Sequence, residues 1–240
     1  LIPSLFLIPT EKSPALAPSW TLMHEMLFYS VFSLWYLSRR AFVAVLALWG
    51  AGILASGLFP GGQMLLDFAL NAHNLEFLIG VAVSWLVARG YRGNWAVLLT
   101  GLLLVTGFAV GSHLTDIDQL FGSPIARILY LGTAFGLLVW GLCFAEEDAG
   151  IRFPRALVFL GAASYSIYLV HEPAIALLNR AASALHGWQP VPAEPLFLGI
   201  VCLATLAGIL YHVGWERPVL RFLKRKWLPT PRERSTGAVT

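Results

Sequence analysis

Pro124-Ile125-Ala126-Arg127-Ile128-Leu129-Tyr130-Leu131-Gly132-Thr133-Ala134-Phe135-Gly136-Leu137-Leu138-Val139-Trp140-Gly141-Leu142-Cys143-Phe144-Ala145 carries a single charge, Arg127, near its start. An α-helix rises about 1.5 Å per residue, so about twenty apolar residues cross the hydrocarbon core of a bilayer. This stretch is long enough and apolar enough to do so. The breaker Gly122-Ser123-Pro124 fixes where it begins.

The pattern recurs on both sides. Comparable runs occupy Ser19–Ser38, Ala41–Phe59, His73–Ala88, Asn94–Ser112, Ala156–Asn179 and Pro195–Gly214. Pro60-Gly61-Gly62, Arg89-Gly90-Tyr91-Arg92-Gly93 and the Pro190–Pro195 stretch separate them. The third run is the shortest. In lipid every backbone group needs an internal partner, so only helices and closed barrels span. These runs are too long and continuous for barrel strands. The predicted fold is all-α: a polytopic transmembrane helix bundle of about seven spanning helices. It forms one membrane domain over residues 1–227, followed by a polar cytoplasmic tail over 228–240. No internal repeat is visible.

Composition agrees. Hydrophobic residues make up 58% of the chain and charged residues 12%, about half the soluble norm of roughly 25%. Mean hydropathy is +0.71. A net charge of +3 in so apolar a chain marks cytoplasmic loops rather than a nucleic-acid surface. Cys143 and Cys202 lie in apolar runs and read as small buried hydrophobes. They form no zinc or redox motif, and no metal-ligand spacing, Gly-rich phosphate loop or Gly-x-Ser-x-Gly elbow is present.

Counting Lys and Arg orients the bundle. Arg39 and Arg40, Arg89 and Arg92, Arg152 and Arg155, and the tail from Arg217 through Arg234 fall on one side. Lys12, Arg127, Arg180, Asp67, Asp116 and Asp118 fall on the other. The basic side is cytoplasmic. The expected location is the inner (plasma) membrane, multi-pass, with the amino terminus outside and the carboxyl terminus in the cytoplasm. A chain that opens Leu1-Ile2-Pro3, outside and without a signal peptide, is expected to lack an odd number of upstream helices. Arg217–Trp227 mixes basic residues with Phe222, Leu223 and Trp227 and reads as an anchor against anionic membrane lipid.

Ionisable residues at membrane depth cost roughly 2.5–3.5 kcal/mol each on insertion scales and mark function by default. Thr21, Glu25 and Tyr29 follow at i, i+4 and i+8 on the first run, sharing one helix face. Glu25 is a candidate general base, or the partner that orients one; the bland alternative is interhelical hydrogen bonding. On the sixth run Ser164, Tyr168, His171 and Glu172 share a broad face, and Pro173 is expected to kink the helix and free a carbonyl near His171. Glu25 and His171 both lie toward the outer ends of their helices, at depths that would let them meet in one cavity. His73 and Glu76 open the third run at its outer end. Glu216 and Arg221 are expected to clamp the start of the tail.

Three stretches resemble one family. Pro18-Ser19-Trp20-Thr21-Leu22, then Glu25, then Phe28-Tyr29 is similar to the Trp-Ser/Thr-Leu-x-x-Glu-x-x-Phe-Tyr signature of the membrane acyltransferase-3 family, which includes O-acetyltransferases of bacterial surface polysaccharides. Gly161-Ala162-Ala163-Ser164-Tyr165-Ser166-Ile167-Tyr168-Leu169-Val170-His171 resembles its later Gly-x-x-Ser-Tyr-Ser-x-Tyr-Leu-x-His segment, and Glu216-x-Pro218 its closing motif. His24, and Glu172 after His171, depart from the family pattern. The resemblance implies a membrane enzyme of about ten spans. It would move an acyl group, acetyl above all, from a coenzyme A thioester (acyl-CoA, here acetyl-CoA) to a sugar hydroxyl of an exopolysaccharide or lipopolysaccharide. The carbohydrate acceptor and acyl-CoA are then its partners, with no metal.

In this reading Glu25 and His171 are the catalytic candidates. Trp20, Thr21, Tyr29, Ser164 and Tyr168 are the substrate-binding ones. The resemblance also implies a catalytic histidine and cofactor-associated arginines on earlier helices. This chain lacks those positions, so it is expected to be inactive alone. The rival expectation is a proton-coupled transporter using intramembrane Glu and His. A purely structural membrane subunit would explain the apolar runs but not the polar stripe.

Overall fold

The computed structural model describes residues 19–56, 62–186 and 192–227, apart from the side chains of 117, 118, 185, 186 and 193. Lys12, the Pro60-Gly61 breaker, Pro190 and Val191 of the Pro190–Pro195 stretch and the tail 228–240 therefore lie outside the described residues, as do the side chains of Asp118 and His186.

Every predicted run is helical, and no strand occurs among the described residues. The first run is α1 (Ser19–Phe32) and a short α2 (Leu34–Leu37). The interruption falls where Ser30 and Ser33 turn their hydroxyls back onto the carbonyls of Met26 and Ser30, competing with the backbone ladder. Helix α3 (Arg39–Ala55) starts two residues earlier than predicted, because the Ser38 hydroxyl caps Ala41 N at 3.3 Å. Its two arginines thus sit in the first turn rather than in a connection.

The third run gains a short helix, α4 (Met64–Ala69), before α5 (Asn74–Ala88). Helix α6 (Trp95–Leu114) is capped by Asn94, whose side chain accepts from Val97 N at 2.9 Å. A one-turn α7 (Ile117–Phe121) leads to α8 (Pro124–Glu147), with Ser123 as cap and Pro124 in the first turn. Helix α9 (Arg155–His186) continues through Pro173. Helix α10 (Ala193–Tyr211) passes through a π-helical turn (His212–Glu216) into α11 (Arg217–Trp227).

Four of these segments are long and apolar enough to cross a membrane: Met64–Ala88, Trp95–Leu114, Pro124–Glu147 and Glu194–Trp227. The other three predicted spans fall short for distinct reasons. Helices α1 and α3 have 14 and 17 residues. Helix α9 has 32 residues, but its serines and tyrosines, His171, Glu172 and Arg180 dilute its hydropathy. Large apolar side chains such as Leu48, Leu103 and Leu177 are well exposed, as a lipid-facing surface requires.

The described residues divide into two compact units, Ser19–Arg152 and the chain from Phe153 on, and each is described by itself. In the first unit Ile53, Leu75 and Ile128 form a buried cluster with Trp49, Leu70 and Leu78 around it. Trp49 Nε1 donates to the Ala69 carbonyl at 2.6 Å, holding α3 against the α4 end. Helices α6 and α8 pack backbone to backbone. A Cβ on Gly141 would lie 2.5 Å from Leu98 Cα, and one on Gly101 would lie 2.6 Å from Leu138 N. Gly132 and Gly136 instead face Ile79 of α5, so the small residues of α8 seat two different neighbours.

In the second unit α9 and α10 meet as closely. A Cβ on Gly208 would lie 2.5 Å from Ile167 Cα, and Ala163, Ser166 and Ala204 are buried. Cys143 is half-buried, whereas Cys202 is exposed on α10. The expectation of burial fails for Cys202 because the apolar run that carries it faces outward there.

Candidate active site

Helix α1 carries two adjacent rows with different surroundings. Trp20, His24, Phe28 and Phe32 recur at i+4 and form an aromatic row. Trp20 contacts His73, His24 stacks on Phe68 of α4, Phe28 stacks on Phe77 of α5, and Phe32 meets Phe42 of α3. This row seats α1 in its unit. Thr21, Glu25 and Tyr29 form the next row around. The Tyr29 hydroxyl donates to the Glu25 carboxylate one turn away. Glu25 and Thr21 are half-buried, while Tyr29 is exposed. The predicted polar stripe therefore exists as a bonded carboxylate–phenol pair.

Sequence reasoning missed His24. It is 5% exposed, and its Nδ1 lies 2.9 Å from Asn74 Oδ1. Asn74 is fully buried, and its amide nitrogen donates to the Phe68 and Ala69 carbonyls at 3.2 and 3.0 Å. The aromatic i+4 row through Trp20, Phe28 and Phe32 was the signal that would have placed His24 inside.

On α9, His171 Nδ1 donates to the Tyr168 carbonyl at 2.6 Å. A carbonyl only accepts, so the proton of the neutral ring sits on Nδ1 and the lone pair on Nε2. The Tyr168 ring lies 5.7 Å from the His171 ring, and both residues are half-buried. Ser164 is exposed and donates to the Gly161 carbonyl at 2.8 Å, while Glu172 is exposed. The buried serine of this segment is Ser166, 1% exposed. Its hydroxyl donates to Glu216 Oε2, the oxygen that also accepts from His212 Nδ1 at 2.7 Å.

Glu216 thus turns to Ser166 and His212. Among the described residues it makes no ion pair with Arg221, so the expected tail clamp is replaced by a buried cluster. The π-helical turn supplies the reason, since it swings Glu216 back toward α9. The serine bonds the carboxylate rather than the imidazole, so the trio does not activate a nucleophile as a Ser-His-acid triad would. His212 is 4% exposed, and its Nε2 has no partner among the described residues.

A cleft of about 640 Å³ runs between α5 and α8. Glu76 is its one charged lining residue; apart from Ser84 the rest, including Ile79, Val83, Phe135 and Val139, is apolar. Glu25 belongs to the first unit and His171 to the second, and the geometry of each stands within its own unit.

Comparison with known proteins bears directly on this arrangement. The family model described as an acyltransferase domain matches residues 2–213. An acyltransferase, MdmB, of Streptomyces mycarofaciens is 29% identical over 258 residues, covering 94% of this chain and 65% of that protein. The exopolysaccharide production protein ExoZ of Rhizobium meliloti (strain 1021) is 30% identical over 236 residues, covering 92% of this chain and 69% of that protein. The chain thus spans about two thirds of the length of these curated relatives. No solved structure matches it. With the Trp20–Tyr29 and Gly161–His171 segments both inside the matched residues, this chain belongs to the acyltransferase-3 family of membrane proteins.

Proposed function

We propose that the protein containing this chain is a membrane O-acyltransferase that moves an acetyl group from acetyl-CoA to a sugar hydroxyl of a surface polysaccharide. The observation that carries the reading is the Glu25–Tyr29 pair, a carboxylate held by a phenol within the residues that the family model matches. The names of the two relatives supply the reaction class and the polysaccharide context.

The chemistry is an acyl transfer. The acceptor O–H gives its proton to a histidine base, and the freed oxygen attacks the thioester carbonyl carbon. The C–S bond breaks, and the departing thiolate takes the proton back. Glu25 supplies the negative charge that stabilises the histidine as it becomes cationic. Tyr29 fixes the carboxylate's rotamer. His171 offers Nε2 as an acceptor toward the substrate hydroxyl, with Nδ1 tied down by the Tyr168 carbonyl. We assign substrate contact to Trp20 and Thr21 within the first unit and to Ser164 and Tyr168 within the second. In this reading cytoplasmic coenzyme A and an outward-facing sugar are the two substrates of a multi-pass protein of the inner membrane. No observation favours the transporter.

The test is direct. Membranes bearing the whole gene product are supplied with radiolabelled acetyl-CoA and a deacetylated polysaccharide. Label in alkali-labile ester on the polysaccharide is expected. Thioester left intact across a panel of sugar acceptors would overturn the reading.

A further inference from the structure

We propose that Trp20, His24, His73 and Glu76 form a hydroxyl-binding subsite for the acceptor. The inference rests on the acyltransferase reading and adds the residues that hold the sugar. Its starting point is the way His24 is fixed. Both hydrogens of the Asn74 amide go to backbone carbonyls, so its oxygen must face His24 and accept the Nδ1 proton. The neutral ring is thereby locked as one tautomer, with Nε2 an acceptor and nothing else. Phe68 stacks on the ring at 4.3 Å between centroids and prevents it from turning.

His24 is 95% buried, yet its Nε2 is not among the buried side-chain atoms left without a partner, so this acceptor nitrogen still reaches the surface of its unit and is open to a donor from outside. Trp20 lies beside this ring at the surface. Its ring meets His24 edge-on at 5.9 Å and His73 at 5.3 Å, and it is 43% exposed. Beyond it, His73 Nδ1 faces Glu76 Oε1 at 3.4 Å, with both side chains close to half exposed.

The charge balance selects the ligand. The group offers an imidazole acceptor, a carboxylate and an indole surface. Among the described residues no Lys or Arg is paired with it. A carboxylate without a nearby cation repels the phosphates of coenzyme A. A neutral polyol suits it, because hydroxyls donate to Nε2 and the carboxylate while C–H faces pack on indole. Glu25 is the one carboxylate on α1. It lies on the adjacent row, one residue from His24, so a sugar held here by one hydroxyl has another within reach of the Glu25 side of the helix.

The experiment uses the whole gene product in detergent, with methyl glucoside and methyl galactoside as acceptor probes. Two substitutions are compared: His24→Phe, which keeps the stack on Phe68, and Glu76→Gln, which is exposed and leaves the buried network intact. The expected result is a rise of about tenfold in acceptor KM, the loss of one hydrogen bond, with the acetyl-CoA KM unchanged. Saturation-transfer NMR of the same probes reads binding without turnover, and the signal is expected to weaken in both variants. Unchanged acceptor KM and unchanged probe binding in the folded variants overturn the subsite. If His24→Phe does not fold, Glu76→Gln alone decides. Absence of any acetyl transfer by the unsubstituted protein would instead count against the acyltransferase reading, and the NMR comparison would still decide the subsite.

Discussion

Ser166 and Glu216, fifty residues apart, share a hydrogen bond inside the second unit, and the same carboxylate oxygen holds His212. One oxygen thereby ties α9 to the turn between α10 and α11. Buried polar groups left without partners cost about 1–3 kcal/mol each. Glu216→Ala strands both Ser166 and His212, so it is expected to destabilise the protein by at least that amount. Ser166→Ala removes one donor and leaves the His212 contact, so a smaller loss of about 1 kcal/mol is expected. Denaturation in detergent micelles, run as a double-mutant cycle, measures the coupling. A cycle that sums without residue would show that the three side chains act independently.

The α6–α8 crossing makes a second prediction. Gly141→Ala places a methyl against the Leu98 backbone, and backbone cannot swing aside. A loss of about 1–3 kcal/mol is expected, the usual cost of overpacking. Gly199→Ala is the control, because nothing lies within 4 Å of the added carbon. There the better helix propensity of alanine should leave stability equal or raise it by up to about 1 kcal/mol. Thermal unfolding of the two variants in one detergent checks the contrast.

Glu25→Gln in the whole gene product is expected to insert normally and to lose acetyl transfer by about 100-fold or more, the scale of a lost acid–base partner. Tyr29→Phe keeps the charge and frees only its orientation, so a milder fall of about tenfold is expected, one hydrogen bond's worth. Rates are compared at equal amounts of inserted protein. Near-normal transfer by the Gln variant would reduce Glu25 to a helix-packing residue.

Topology can be read chemically. With the native cysteines replaced, a cysteine at Arg39 should be shielded from an impermeant thiol reagent in intact cells, and one at Asp116 should react. The opposite pattern would invert the bundle.

The helical character of all seven runs was legible because an apolar stretch has few other folds open to it in lipid, although only four of the described segments are long and apolar enough to span. The partners of the polar residues were much less so. The polar row Thr21-Glu25-Tyr29 stood out against an apolar background, and its Glu25–Tyr29 contact is local, one turn apart. The aromatic row beside it passed for ordinary membrane composition, so His24 was read only as a departure from a pattern. Asn74, its partner, lies fifty residues away, and periodicity reports a face but never what covers it. Ser166 was hidden likewise. The bonds that fix it come from Glu216, and an ideal α-helical register would have pointed that carboxylate elsewhere.

That register carries a consequence for sequence change. A π-helical turn amounts to one residue inserted into an α-helix, and each residue of an α-helix turns the chain by about 100°. Deleting a single residue between His212 and Glu216 would let the turn relax to α-helix. Everything after it, including Arg217, Arg221, Lys224 and Arg225, would keep its facing, because the extra residue is taken up inside the turn itself. The same deletion in a regular stretch of α10 would instead turn the basic edge of α11 by about 100° around the helix. In this segment an indel of one codon therefore acts on the polar contacts that the turn directs, Glu216 with Ser166 and His212, rather than on the facing of the last helix.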